Sequence, residues 1–74
     1  MSISPKSSFL RRFGGNLRRE RMSQGMSQKR LAELSELHIR TVQRIEAGEL
    51  SIRVDTVSRL RAALGCPWDR LFPR

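Results

Sequence analysis

Met26-Ser27-Gln28-Lys29-Arg30-Leu31-Ala32-Glu33-Leu34-Ser35-Glu36-Leu37-His38-Ile39-Arg40-Thr41-Val42-Gln43-Arg44-Ile45-Glu46-Ala47-Gly48 holds two short amphipathic segments joined by a tight turn. Ser27 is a good N-cap residue, and Met26 before it and Leu31 after it form a hydrophobic staple. The spacing predicts a helix from Gln28 to about Ser35, with Leu31, Ala32 and Leu34 inward. The next segment repeats the logic. His38 stands at the N-cap position, Leu37 and Val42 are the staple pair, and Gly48 stops the helix. At about 100° per residue, Val42 and Ile45 fall on one face, while Arg40 and Arg44, one turn apart, fall on the opposite one.

Outward from this centre the chain continues in helical patterns. Ser8 can cap a first helix running to about Met22, with Leu10, Phe13, Leu17 and Arg21 on one stripe and Arg12 and Arg19 pointing away. Gly14-Gly15 inside that helix costs roughly 1 kcal/mol per residue, so glycines there point to close approach of another helix. Ser23-Gln24-Gly25 ends it. Beyond Gly48, residues 49–52 form a connector. A fourth helix spans about Val54 to Leu64, with Val54, Val57, Leu60 and Leu64 on one face and Gly65 closing it. Pro67 suits the first turn of a last short helix that carries Trp68, Leu71 and Phe72. Five helices and no strand pattern make the chain all-α. Residues 1–7 show no periodicity and are read as a flexible N-terminal arm, leaving 8–74 as a single domain.

With 74 residues, the chain is near the lower limit for folding on one hydrophobic core. Cys66 is the only cysteine, which excludes an internal disulfide, and one Cys with one His (His38) leaves no credible zinc site. Metal and cofactor are therefore both read as none, and association of two copies as the remaining support for so small a core. Cys66 is read as a small helix-end residue. Lys and Arg number 15 against 7 Asp and Glu, a net +8, and residues 1–22 alone carry six cations and one anion. A basic small domain suggests a polyanionic partner: nucleic acid or an anionic membrane surface. Against the membrane, the apolar stripe of the first helix is interrupted by Arg21 and is needed for the core. No run of 18 apolar residues and no long apolar N-terminal stretch is present, which points to the cytoplasm. The chain has no catalytic Ser/His/Asp or Cys/His set, no plausible pair of carboxylates and no phosphate loop, so an enzyme is the weakest reading.

The segment carrying Arg40, Gln43 and Arg44 can lie in a DNA major groove, where Arg meets guanine with two bonds and Gln meets adenine. The other reading of Arg40 and Arg44 is a solvated polar face. A second pair of charges sits where hydrophobes are expected: Arg21 on the apolar stripe of the first helix and Glu46 on that of the third. A lone buried ion is costly, so the economical solution is that Arg21 and Glu46 meet. The alternative is that both are edge residues reaching water.

Residues 13–72 resemble the phage-repressor and Cro type of helix-turn-helix domain, the XRE family. The matching pieces are Leu17-Arg18-Arg19-Glu20-Arg21, Gly25-Met26-Ser27-Gln28-Lys29-Arg30-Leu31-Ala32, Leu37, Val42, Ile45-Glu46-Ala47-Gly48 and Leu60-Arg61-Ala62-Ala63-Leu64-Gly65. Ser-Gln-x-x-Leu-Ala, with Ile-Glu-x-Gly fourteen residues after that Leu, is more specific than either half. The resemblance implies a compact five-helix, lambda-repressor-like domain in which helices 2 and 3 form the helix-turn-helix and helix 3 reads DNA. It also implies that Arg21 and Glu46 are the family's paired charges. Within the family, Gly48 to Phe72 looks similar to small controller proteins of restriction–modification systems. Two positions depart from the pattern: Glu36 stands where Gly is usual in the turn, and His38 where Ser or Thr usually caps helix 3.

For the site, the resemblance implies Ile39, Arg40, Gln43 and Arg44 on base edges. It implies Gln28 on a DNA phosphate, also bracing the reading helix, and Gln43 and Thr41 at positions that reach bases or backbone; Lys29, His38 and Thr41 are read as further backbone contacts. The expected function is a sequence-specific double-stranded DNA-binding transcriptional regulator, acting as a homodimer on a two-fold symmetric operator. The alternative is an antitoxin-type protein that binds a toxin and autoregulates its operon; RNA polymerase and a toxin are the further partners considered. Arg11, Arg12, Arg18 and Arg19 either steer DNA or form a solvated face. Trp68, Leu71 and Phe72 are read as the dimer interface, against closure of the monomer's own core.

Overall fold

Pro5, not Ser8, begins the first helix. The computed structural model describes residues 5–73 and places five helices in the order α1 Pro5–Ser23, α2 Gln28–Ser35, α3 Ile39–Glu46, α4 Val54–Leu64 and α5 Trp68–Leu71. There is no strand among the described residues. The protein is all-α. Proline suits a first helical turn because its φ is preset and its missing N–H would have had no partner there. The helix therefore opens before the expected Ser8 cap, and Pro5–Ser7 of the expected arm are helical. Met1–Ser4 lie outside the described residues.

The central segment folds as its caps dictate. Ser27 is extended (φ −78°, ψ 162°), and its hydroxyl accepts a 3.0 Å hydrogen bond from the Arg30 N–H. Leu31 is fully buried and Met26 packs against the core, closing the staple. At the end of α2, Glu36 adopts φ 58°, ψ 41°, the left-handed conformation usually left to glycine. The turn is locked by the Leu37 N–H donating to the Ala32 carbonyl at 2.9 Å. A Cβ in this region costs roughly 1–2 kcal/mol, and glycine returns part of that as unfolded-state entropy. Because the Glu36 side chain is exposed, Glu36→Gly is expected to stabilise the fold by about 1 kcal/mol in chemical denaturation. His38 caps α3 without a side-chain hydrogen bond, so the half-buried Leu37 and buried Val42 fix the start of this helix.

Leu34 and Val54 depart from the expected inward positions. Leu34 is 42% exposed, and Ser35 takes the inner site, its hydroxyl donating to the Leu31 carbonyl at 2.5 Å. Ser35 lies one turn beyond Leu31 and so stays under α2, whereas Leu34 rotates to the rim beside Ala62 and Ala63. Val54 is 84% exposed. As the first residue of α4, it lies roughly 90° around the helix from the mean direction of Val57, Leu60 and Leu64, which are buried.

The core joins Phe13 and Leu17 of α1, Leu31 and Ala32 of α2, Val42 and Ile45 of α3, Val57, Leu60 and Leu64 of α4, Cys66, and Leu71 of α5. Leu71 is completely buried, and the Asn16 side-chain amide donates to its carbonyl at 2.9 Å. The expected interface cluster therefore divides. Leu71 closes the protomer's own core and cannot also lie on its surface. Trp68 stays 45% exposed, while Phe72 is half-buried between the rings of Phe13, Phe9 and Trp68. Cys66 is a core residue; burial, and next the charge of Glu20, push its thiol pKa above the ordinary value, which disfavours the reactive thiolate.

Candidate nucleic-acid interface

Three segments meet at one buried knot of charge. The Arg21 Nε donates to Glu46 Oε2 at 2.7 Å and its Nη2 to Glu46 Oε1 at 3.0 Å, so the pair is bidentate. The remaining guanidinium nitrogen, Nη1, donates to the Met26 carbonyl at 2.7 Å. Gln28 Nε2 adds a 3.0 Å bond to Glu46 Oε1. The Arg21 and Glu46 side chains are only 11% and 4% exposed. Burial on this scale is tolerable because both charges are matched in geometry and further hydrogen-bonded. The knot ties the end of α1 and the start of α2 to the last turn of α3. Gly14 makes room for it: a Cβ there would strike the carbonyl oxygens of Ile45 and Glu46. Gly15 has open space around it, so close packing explains the first glycine of the pair and not the second.

With Val42 and Ile45 turned into the core, α3 offers the opposite face to solvent. Ile39, Arg40, Gln43 and Arg44 are exposed along it, and Thr41 is half-buried at its edge. Among the described residues, no hydrogen bond or ion pair engages the Arg40 or Arg44 side chain. Their guanidinium groups are thus available to an external acceptor. Lys29 and His38 are exposed at the starts of α2 and α3, and half-buried Gln28 stands beside them, held by Glu46. The residues expected at a DNA surface thus cluster on α3 and the first turn of α2, where free backbone N–H groups favour anions. On α1, Arg11, Arg12, Arg18 and Arg19 are exposed, with Arg19 bonded to Asn16 Oδ1 at 2.7 Å.

A helix-turn-helix family model matches residues 17–71. The chain belongs to the helix-turn-helix family. This helix-turn-helix protein is also similar in structure to the restriction-modification controller protein C.AhdI from Aeromonas hydrophila. The TM-score is 0.85 at 34% sequence identity, covering 88% of this chain and 98% of that one. No curated protein gives a significant match. Both similarities agree with the XRE type read from the sequence, and the helix-turn-helix protein is a DNA-binding transcription regulator. None of its described helices is long and apolar enough to cross a membrane, and no group of three or more His, Cys, Asp or Glu among the described residues could hold a metal ion.

Glu20 and Gln24 make polar contacts that escaped the sequence reading. Glu20 is buried on α1 and pairs with Arg70 of α5 at 3.3 Å. It lies roughly 60° from Leu17 around the helix, so the signal that exposed Arg21, a charge on an apolar stripe, was present there too. Gln24 donates to the Leu64 carbonyl at 2.6 Å, securing the end of α4. Nothing local marks it, because the partner lies 40 residues away.

Proposed function

We propose that the protein is a cytoplasmic homodimeric regulator that reads a two-fold symmetric operator and controls a restriction–modification system. The observation that carries this reading is the uncommitted outward face of α3, with Arg40 and Arg44 one turn apart and Gln43 between them. A helix of this width fits the major groove, and two such helices on one operator lie about 34 Å apart. Arg40, Gln43 and Arg44 contact base edges, and Ile39 offers an apolar contact to a thymine methyl. Gln28, Lys29, His38, Thr41 and the starts of α2 and α3 hold phosphates and set the register. The structural similarity to a controller protein supports the biological role. The lone buried thiol of Cys66 suits a reducing compartment.

The test is selection from a randomised double-stranded DNA pool at fixed salt. A two-fold symmetric motif is expected. Arg44→Ala should then flatten the preference at one position in each half-site, costing roughly 1–3 kcal/mol there. A uniform loss over all sequences would make Arg44 a phosphate contact instead, and salt-sensitive binding with no motif would overturn the operator reading.

A further inference from the structure

Gly15 is the glycine of α1 that packing does not explain. It is exposed, and a Cβ built there would meet nothing. A glycine inside a helix weakens it, and no clash within the protomer requires this one. At about 100° per residue it lies roughly opposite the buried Phe13 and Leu17, so it faces straight out to solvent. Its neighbours on the helix surface are the residues three and four positions away. They are Arg11, Arg12, Arg18 and Arg19, and all are exposed. The only acid of α1, Glu20, is buried and paired with Arg70, so no anion of this helix offsets them. Among the described residues, no hydrogen bond or ion pair engages the Arg11 or Arg18 side chain. The result is a bare strip of helix, framed by one arginine pair a turn before it and another a turn after it.

The place of this frame indicates what it takes. Arg11 lies against Gly48, where a Cβ would strike both the backbone and the side chain of Arg11. Gly48 follows Arg44 by four residues, so the frame begins about one turn beyond the row of Arg40 and Arg44 on α3. A basic surface continuous with that row suits a polyanion whose charges recur along its length, as the phosphates of duplex DNA do. The arginine fork meets phosphate oxygens with two bonds. The two pairs stand seven residues apart, about 10 Å along α1. One stretch of strand fits across Gly15 between them, and the missing side chain lets it lie close to the helix.

We propose that Gly15 and the four arginines around it form a cradle for the sugar-phosphate backbone of the same duplex that α3 reads, beyond the phosphates held by α2 and α3. The proposal rests on the operator reading above and adds a surface that reading does not use. The cradle contributes affinity and register without reading sequence.

Gly15→Glu tests it, because a structural role and a binding role move in opposite directions. Glutamate is the better helix former and finds Arg18 or Arg19 one turn on, so the melting temperature should hold or rise. The same acid fills the cradle with negative charge. Binding to the selected operator duplex should weaken roughly fiftyfold at about 0.1 M salt, and the slope of log affinity against log salt should become shallower by about 1.8, the amount for two phosphate contacts. The preferred sequence should stay the same, since backbone contacts carry none. Arg11→Gln/Arg18→Gln should flatten the slope in the same way without adding an acid. A folded Gly15→Glu variant with wild-type affinity and slope, or one with an altered motif, would overturn the cradle and leave the operator reading standing. Wild-type binding with no motif would overturn the operator reading; the same loss of slope on random-sequence duplex would then still support the cradle, and an unchanged slope would overturn both.

Discussion

Glu46→Ala is expected to lower the folding free energy by about 3–5 kcal/mol, the largest loss for any single polar substitution here. The argument lies in what is left behind. Arg21 would keep its bond to the Met26 carbonyl but lose both contacts from Nε and Nη2, in a site where its side chain is 11% exposed. Gln28 would lose its acceptor as well. The orphaned guanidinium then carries the desolvation cost alone. Removing both charges in favour of apolar groups, as in Arg21→Met/Glu46→Leu, should restore most of the loss, because a matched buried ion pair is often no more stabilising than well-packed hydrophobes. Gln28→Ala should cost only about 1 kcal/mol, one hydrogen bond. Urea denaturation checks all three; a deficit below about 1 kcal/mol for Glu46→Ala would show that the pair is not energetically buried.

Gly14→Ala is the second large effect, at about 2–3 kcal/mol lost. The atoms that a new Cβ would meet are backbone carbonyls of α3, so no side chain can swing aside, and the two helices must separate. That separation also stretches the Arg21–Glu46 pair, which joins the same two helices. Gly15→Ala is the internal control. It adds the same methyl to the same helix in open space, where helix propensity predicts a gain of about 0.5–1 kcal/mol. In a domain of this size the two variants should move the melting temperature in opposite directions, with Gly14→Ala falling by about 10–20 °C. Equal shifts would falsify the close approach of α1 and α3.

Features with a local cause could be read directly from the residues. The Ser27 cap and the two staples follow from short-range geometry, whereas the left-handed turn at Glu36 was signalled only by the family's usual glycine at that position. The Arg21–Glu46 pair was legible because each charge interrupts an apolar stripe, and because two misplaced charges of opposite sign have one economical resolution. The same test applied to Glu20 would have marked it as buried without naming its partner, because Arg70 is largely exposed. The failures have other causes. Leu34 and Val54 lie off the buried stripes of their own helices by helical angle, while Leu71 against Trp68 depends on how α5 docks on the core. Gly14 and Gly15 are identical as letters and differ only in what α3 places beside them. At the site, the exposed row Ile39, Arg40, Gln43 and Arg44 follows from periodicity alone. Which base each would meet depends on the depth and tilt of α3 in a groove, which no single chain encodes by itself.

The eight residues of α3 span about 12 Å, a little over two turns. A helix shorter than about 12–15 residues has little stability by itself in water. This one persists because its inner face is clamped by α1 and α2 and its last turn is tethered through Glu46. The proposed reading surface is therefore not a property of the peptide Ile39–Glu46 that a scaffold merely displays. It exists only while the whole bundle holds, so unfolding and loss of the reading surface are one event. Under the proposed function, heat, a core lesion or a protease acting on the opened chain would each remove DNA reading as completely as deleting Arg40 and Arg44.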